Sequence, residues 1–95
     1  MTKDIVALIP KGETSRITSG EIGRLTNLKS SQIRKIVNES RSKFIPIASD
    51  SEGYFIATEP AELNHTIAQL NSRIHKMIQA REGLKKAQKN MLEGK

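Results

Sequence analysis

The sequence predicts a mainly α-helical protein with one small β-hairpin, extended by a long C-terminal helix. Three stretches of the chain predict it. Thr18 to Asn38 holds two short amphipathic runs either side of a break, FIPIASDSEGYFIA at 44–57 places two apolar runs around a polar centre, and the chain from Pro60 to about Met91 keeps helical spacing. Each element follows from its own residues.

Lys3 to Ile9, with Ile5, Val6, Leu8 and Ile9 as its apolar set, fits a short helix or a strand, and a helix closed by Pro10 and Gly12 is the reading preferred. Lys11 to Arg16 is a polar loop, and Ile17 is placed to form a one-bridge strand. Thr18 and Glu21 make a capping box, in which hydroxyl and carboxylate each satisfy a free N–H at a helix start. Ile22 and Leu25, then Ile33, Ile36 and Val37, supply apolar faces on either side of a turn at Thr26 to Lys29, where Leu28 also packs. Gly23 permits close passage of the chain, and Asn27 tolerates the left-handed conformation of a sharp helix end. This pattern is a helix-turn-helix.

Beyond Lys43 the two apolar runs flank Asp50-Ser51-Glu52-Gly53, a hairpin turn whose Gly53 provides a positive φ; Pro46 fits an outer strand. Helix, one-bridge strand, helix, helix, hairpin is the order of a winged helix-turn-helix, here residues 1–58 with the wing at 48–53. Residues 59–95 form the long helix, with Pro60 in its first turn, Thr58 or Glu59 as cap and Glu62 close behind. From 60 to 91 such a helix would run roughly 48 Å, and Gly83 is its weak point. Leu63, Ile67, Leu70, Ile74 and Met77 fall four, three, four and three apart, a seam suited to pairing with a second copy; Arg81 and Gln88 interrupt it before Leu84 and Met91 continue it.

The chain has 95 residues and a net charge of +6, with 36% apolar residues and no cysteine. One domain is expected, with a core of Ile, Leu and Val worth roughly 3–5 kcal/mol, for which a partner subunit would be an asset. Disulfides and thiolate metal sites are excluded. No run has the length of a membrane span or a secretory signal, so a soluble cytoplasmic protein is expected. Residues 1–43 carry nine Lys or Arg against four acids, residues 44–59 none against three, and residues 60–95 seven against three. Such a basic balance around an acidic middle favours a polyanionic partner. His65 and His75 are ten residues apart, not at the spacing of a shared metal face, and no catalytic constellation or phosphate loop appears. Neither an enzyme nor a cofactor is expected.

The stretches TSGEIGRLTNLKSSQIRKIVNESR, FIPIASDSEGYFIA and EPAELNHTIAQLNSRIHKMIQAREGLKKA together resemble the small winged-helix proteins of bacteriophages and prophages of Gram-positive bacteria, over about residues 5–88. The resemblance implies DNA binding in phage transcription or replication control. On the second helix of the motif, Ser30, Ser31, Arg34, Lys35, Asn38 and Arg41 face outward. Arg can take guanine, Asn can take adenine, and Ser or Lys can hold phosphates, with the N-terminal residues nearest the bases. Expected partners are double-stranded DNA and a second copy of the chain. The wing departs from the family pattern: its tip carries Asp50 and Glu52 and no base, which repels phosphate. A protein-interaction module, using the acidic wing or the long helix on a host or phage protein, is the alternative. The distal Arg81, Lys85, Lys86 and Lys89 read as a solvated basic tail or a second phosphate contact.

Overall fold

A computed structural model describes residues 5–94 of the chain. The capping box forms as its spacing predicts: Glu21 N–H donates to the Thr18 hydroxyl at 3.1 Å and Thr18 N–H donates to the Glu21 carboxylate at 2.9 Å. Helix α1 (Ser19–Thr26) therefore starts at Thr18, and it ends at Asn27, left-handed at φ 62°, whose N–H donates to the Gly23 carbonyl. A Cβ on Gly23 would lie 3.1 Å from the Leu28 carbonyl oxygen, so glycine is what lets the turn fold back so closely. Leu25 does not join the core and is 64% exposed. The inward place belongs to Thr26, one helical turn after Ile22, whose hydroxyl donates to the Ile22 carbonyl at 2.7 Å and accepts Leu28 N–H at 3.2 Å.

Helix α2 (Ser30–Ser42) begins where Lys29 N–H donates to the Gln32 side chain. Its apolar face closes the core. Ile5, Ile9, Ile22, Ile33, Val37 and Ile47 form one buried cluster, with Ile17, Leu28, Ile36, Ile45, Tyr54 and Ile56 packed around it. The short helix expected over 3–9 is a single 3₁₀ turn at Ile5–Leu8, Lys3 and Asp4 lying outside the described residues.

Strands β1 (Ile47–Asp50) and β2 (Gly53–Ile56) pair antiparallel in the register Ile47↔Ile56 to Asp50↔Gly53. Gly53 has φ 135°, and a Cβ there would stand 2.5 Å from the Ile17 carbonyl oxygen. Ile17 is the expected bridging residue, exchanging hydrogen bonds with Tyr54 at 3.0 and 2.8 Å. A second, parallel bridge was not legible in the sequence: Gly12 N–H donates to Ile56 O and Ile56 N–H to Pro10 O. Along the far side of β1, Arg41 Nε donates to Ile47 O at 2.8 Å, Ile47 N–H donates to Ile45 O, and Thr66 Oγ1 both accepts from Ser49 N–H and donates to Ser49 O.

Phe44, grouped with the hairpin by its apolar neighbours, stands outside the strand and is 94% exposed. The cause is the way α2 ends. Phe44 N–H donates to Arg41 O and Ile45 N–H to Ser40 O, the Schellman closure, and this puts Phe44 at φ 72°, a position usually given to glycine. Ile45 turns back to the core and Phe44 turns out.

A 3₁₀ turn at Pro60–Leu63 leads into α3 (Asn64–Leu92). Neither Thr58 nor Glu59 caps this start with its side chain; the Glu62 carboxylate reaches back to Thr58 N–H at 2.8 Å and Glu59 N–H at 3.4 Å. The buried Thr66 packs on β1, across the expected boundary at 58/59. From Asn71 to Gly94 every residue is exposed. The helix runs on through Gly83, and the radius of gyration, 17.6 Å, exceeds the roughly 13 Å of a compact chain this long. No helix of the described residues is long and apolar enough to cross a membrane.

Candidate nucleic-acid interface

Ser30, Ser31, Arg34, Lys35 and Asn38 of α2 are all exposed, Ser30 at the start of the helix on the side of Ile33 and Val37 and Arg34 on its flank. Helical spacing puts Ser31, Lys35 and Asn38 outermost. Arg34 and Asn38, with Arg41, line one wall of an open groove of about 500 Å³. The hairpin tip closes one side of it, and Leu70, Arg73, Ile74 and Met77 of α3 form the opposite wall.

Arg41 differs from the other five residues predicted to meet DNA. It is half-buried, its Nε is held by Ile47 O, and its Nη2 donates to Ser49 Oγ at 3.1 Å. Burial is the main influence on its pKa and lowers it; nearby Tyr54 works in the other direction, and the neighbouring Arg73 lowers it further. It stays charged at any ordinary pH. Its first task is to bind α2 to β1, a correction to its assignment as a freely exposed residue.

The acidic hairpin tip is not a bare pair of carboxylates. Arg16, from the loop before α1, donates through Nε to Asp50 Oδ1 and Oδ2 at 3.0 and 2.8 Å, and its Nη2 stands 2.7 Å from Oδ2. The same guanidinium lies 5.2 Å from the Phe55 ring centroid, bonds the Glu13 carbonyl and reaches within 3.9 Å of the Glu52 carboxylate. Asp50 also accepts Glu52 N–H at 2.9 Å, fixing the turn. The hydrogen bonds from Arg16 hold the Asp50 carboxyl below its usual range against the opposing effect of burial, and the same pairing raises the pKa of Arg16. Glu21 is lowered by the Thr18 N–H and hydroxyl.

The residues expected to pair two copies separate into two settings. Leu63, Ile67 and Leu70 border an apolar groove with Phe44, Ile45, Pro46 and Ile47, whereas Leu70, Ile74 and Met77 face α2 across the larger groove. Ile67, Ile74 and Met77 are 52%, 53% and 71% exposed, and Leu84 and Met91 carry the uncovered stripe outward at 72% and 78%. Two residues that bear on the interface were missed in the sequence, Arg16 and Arg73. Arg73 had a faint signal, standing three residues after Leu70 and four before Met77 and hence beside the seam. Arg16 had none, because its partner is 34 residues away. No cluster of three or more metal-binding side chains occurs among the described residues. Comparison with protein-family models, curated proteins and solved structures gave no match for this chain.

Proposed function

We propose that the protein binds double-stranded DNA as a winged helix-turn-helix, with α2 as the recognition helix and the β1–β2 hairpin as the wing. One observation carries the reading: α2 buries Ile33 and Val37 completely or nearly so, while Ser31, Lys35 and Asn38 on its other side, Arg34 on its flank and Ser30 at its start stay exposed. A helix so mounted fits the major groove, with Arg34 and Asn38 suited to base edges and Lys35 to phosphate. The Arg16–Asp50 pair supports it by neutralising one of the two carboxylates at the wing tip. In this reading the protein works by binding and not by catalysis, in the cytoplasm, as a regulator of transcription or replication of the phage type that the sequence resembles.

The test is duplex binding measured against salt. Affinity falls steeply as salt rises, and Arg34→Ala and Lys35→Ala each weaken binding about five- to tenfold and flatten the salt dependence by about one counterion. Retention that neither salt nor these substitutions changes ends the reading.

A second reading concerns protein partners, and the uncovered apolar side chains of α3 together with Phe44 favour it. Large exposed apolar side chains in a row mark a contact surface. Self-association through α3 would bring two α2 helices to one duplex, where half-sites lie about 34 Å apart. Sedimentation of the pure protein with and without duplex separates the readings: a dimer that shifts with DNA supports both, and a monomer removes self-association. A host or phage protein recovered stoichiometrically after nuclease treatment, in a complex that Asp50→Lys weakens, favours an interaction module instead.

A further inference from the structure

The groove between α2 and α3 gathers Arg34 and Arg41 from one wall and Arg73 from the other. Among the described residues the ion pairs are Arg16 with Asp50 and Glu52, and Glu82 with Arg81 and Lys85; none of the three groove arginines is paired. Two carboxylates also border the groove, and both face Arg16, a residue that does not line it: Asp50 is bonded by that guanidinium, and Glu52 stands 3.9 Å from it. Three guanidinium groups thus share one concavity with no carboxylate bonded to any of them, and Arg73 is close enough to Arg41 to disfavour its charge. Like charges so gathered are relieved by an anion.

The apolar part of the lining says which kind. Leu70, Ile74 and Met77 stand beside Arg73 on the α3 wall. A free phosphate has no use for them, whereas a nucleic-acid strand presents C–H surface on the sugar beside every phosphate. We infer that this groove is a seat for the sugar–phosphate backbone of one DNA strand, with Arg73 as the phosphate contact supplied by α3, Leu70, Ile74 and Met77 against the sugars, and Arg34 on the facing wall left to the base edges. The inference deepens the DNA-binding reading and rests on it. Its consequence is that α3 belongs to the DNA-binding surface and is not merely an appendage to it. A partner helix covering Leu70 to Met77 would compete with the strand for the groove, which moves any pairing of α3 with its copy outward, to Leu84 and Met91.

The experiment compares Arg73→Ala with Lys76→Ala in the full chain, by anisotropy of a labelled 20-base-pair random duplex over a range of salt. Both residues are exposed on α3, and Lys76 lies outside the groove, beside His75 and Gln79. Arg73→Ala is expected to weaken binding about five- to tenfold and to lower the salt slope by about one, as loss of one phosphate contact does, with Lys76→Ala within twofold of the parent. Unchanged circular dichroism confirms that folding is intact. If Arg73→Ala leaves affinity and slope unchanged while Arg34→Ala lowers both, the groove proposal is overturned and the DNA reading stands. If the parent protein binds no duplex, the DNA reading falls and this proposal falls with it.

Discussion

Ile22, Ile33 and Ile47 are 0–1% exposed, whereas Met77, Leu84 and Met91, side chains of similar hydrophobicity, are 71%, 72% and 78% exposed. The first group is held by contacts between segments far apart in sequence. The second sits on a helix sustained by its own hydrogen bonds, by good helix formers such as Ala80, Lys85 and Gln88, and by the pairing of Glu82 with Arg81 and Lys85. The difference teaches that one sequence contains two kinds of order. The body is specified by packing, and the outer part of α3 is specified by backbone propensity, with its apolar stripe left for a neighbour.

The strongest way to break that comparison is to damage each side equally. Ile33→Ala should remove about 2–5 kcal/mol, enough to unfold much of so small a body, while Leu84→Ala should change monomer stability by no more than about 0.5 kcal/mol, both measured by urea unfolding at low protein concentration. Equal losses would show that α3 is part of the core. Next in size is Gly53→Ala, which forces a side chain onto the Ile17 carbonyl at an unfavourable φ and should destabilise by about 1–3 kcal/mol. Thr66→Val tests where the body ends: it strips Ser49 N–H of its partner and should lower stability by about 1–3 kcal/mol, although the residue belongs to α3.

Acid sharpens the comparison further, because the depressed carboxyl groups, Asp50 and Glu21, both lie in the body. Each has a folded pKa below its unfolded one. Their contribution is complete above the unfolded values, near 4, and is lost as pH falls through the lower folded values. The urea midpoint should be flat above about pH 5 and decline below about pH 4, with a shallower decline in Asp50→Asn. The smallest effect is expected from Gly83→Ala, where no atom lies within 4 Å of the added Cβ: α3 should gain helicity worth up to about 1 kcal/mol, seen as slower amide exchange around residue 83 with the body unchanged.

The features legible in the sequence are those whose cause is local. Thr18 and Glu21 are three residues apart, Asn27 and Gly53 need only a backbone angle, and the alternation of Ile33 and Val37 with Arg34 and Lys35 is a matter of helical period. The candidate site was half legible for the same reason. Period alone turns Ser31, Arg34 and Lys35 outward, but it cannot reveal that Arg41 reaches β1, that Arg16 meets Asp50 across 34 residues, or that α3 brings Arg73 opposite Arg34. Phe44 was misplaced because its neighbours Ile45 and Ile47 are apolar and Ile47 opens β1, while its own position is set by the closure of the preceding helix. Long-range hydrogen bonds and the angle at which a helix leaves the body are settled only by the assembled fold.

The two-stranded sheet has a consequence for solubility. Tyr54 and Ile56 of β2 are bonded to Ile17 and to the Pro10–Gly12 segment, and the outward groups of Ile47 and Ser49 on β1 are taken by Ile45, Arg41 and Thr66. A sheet with both margins occupied gives an invading strand no template for edge-to-edge addition. Arg41 and Thr66 are therefore guardians against misassembly, each doing with one side chain what larger proteins do with an additional strand.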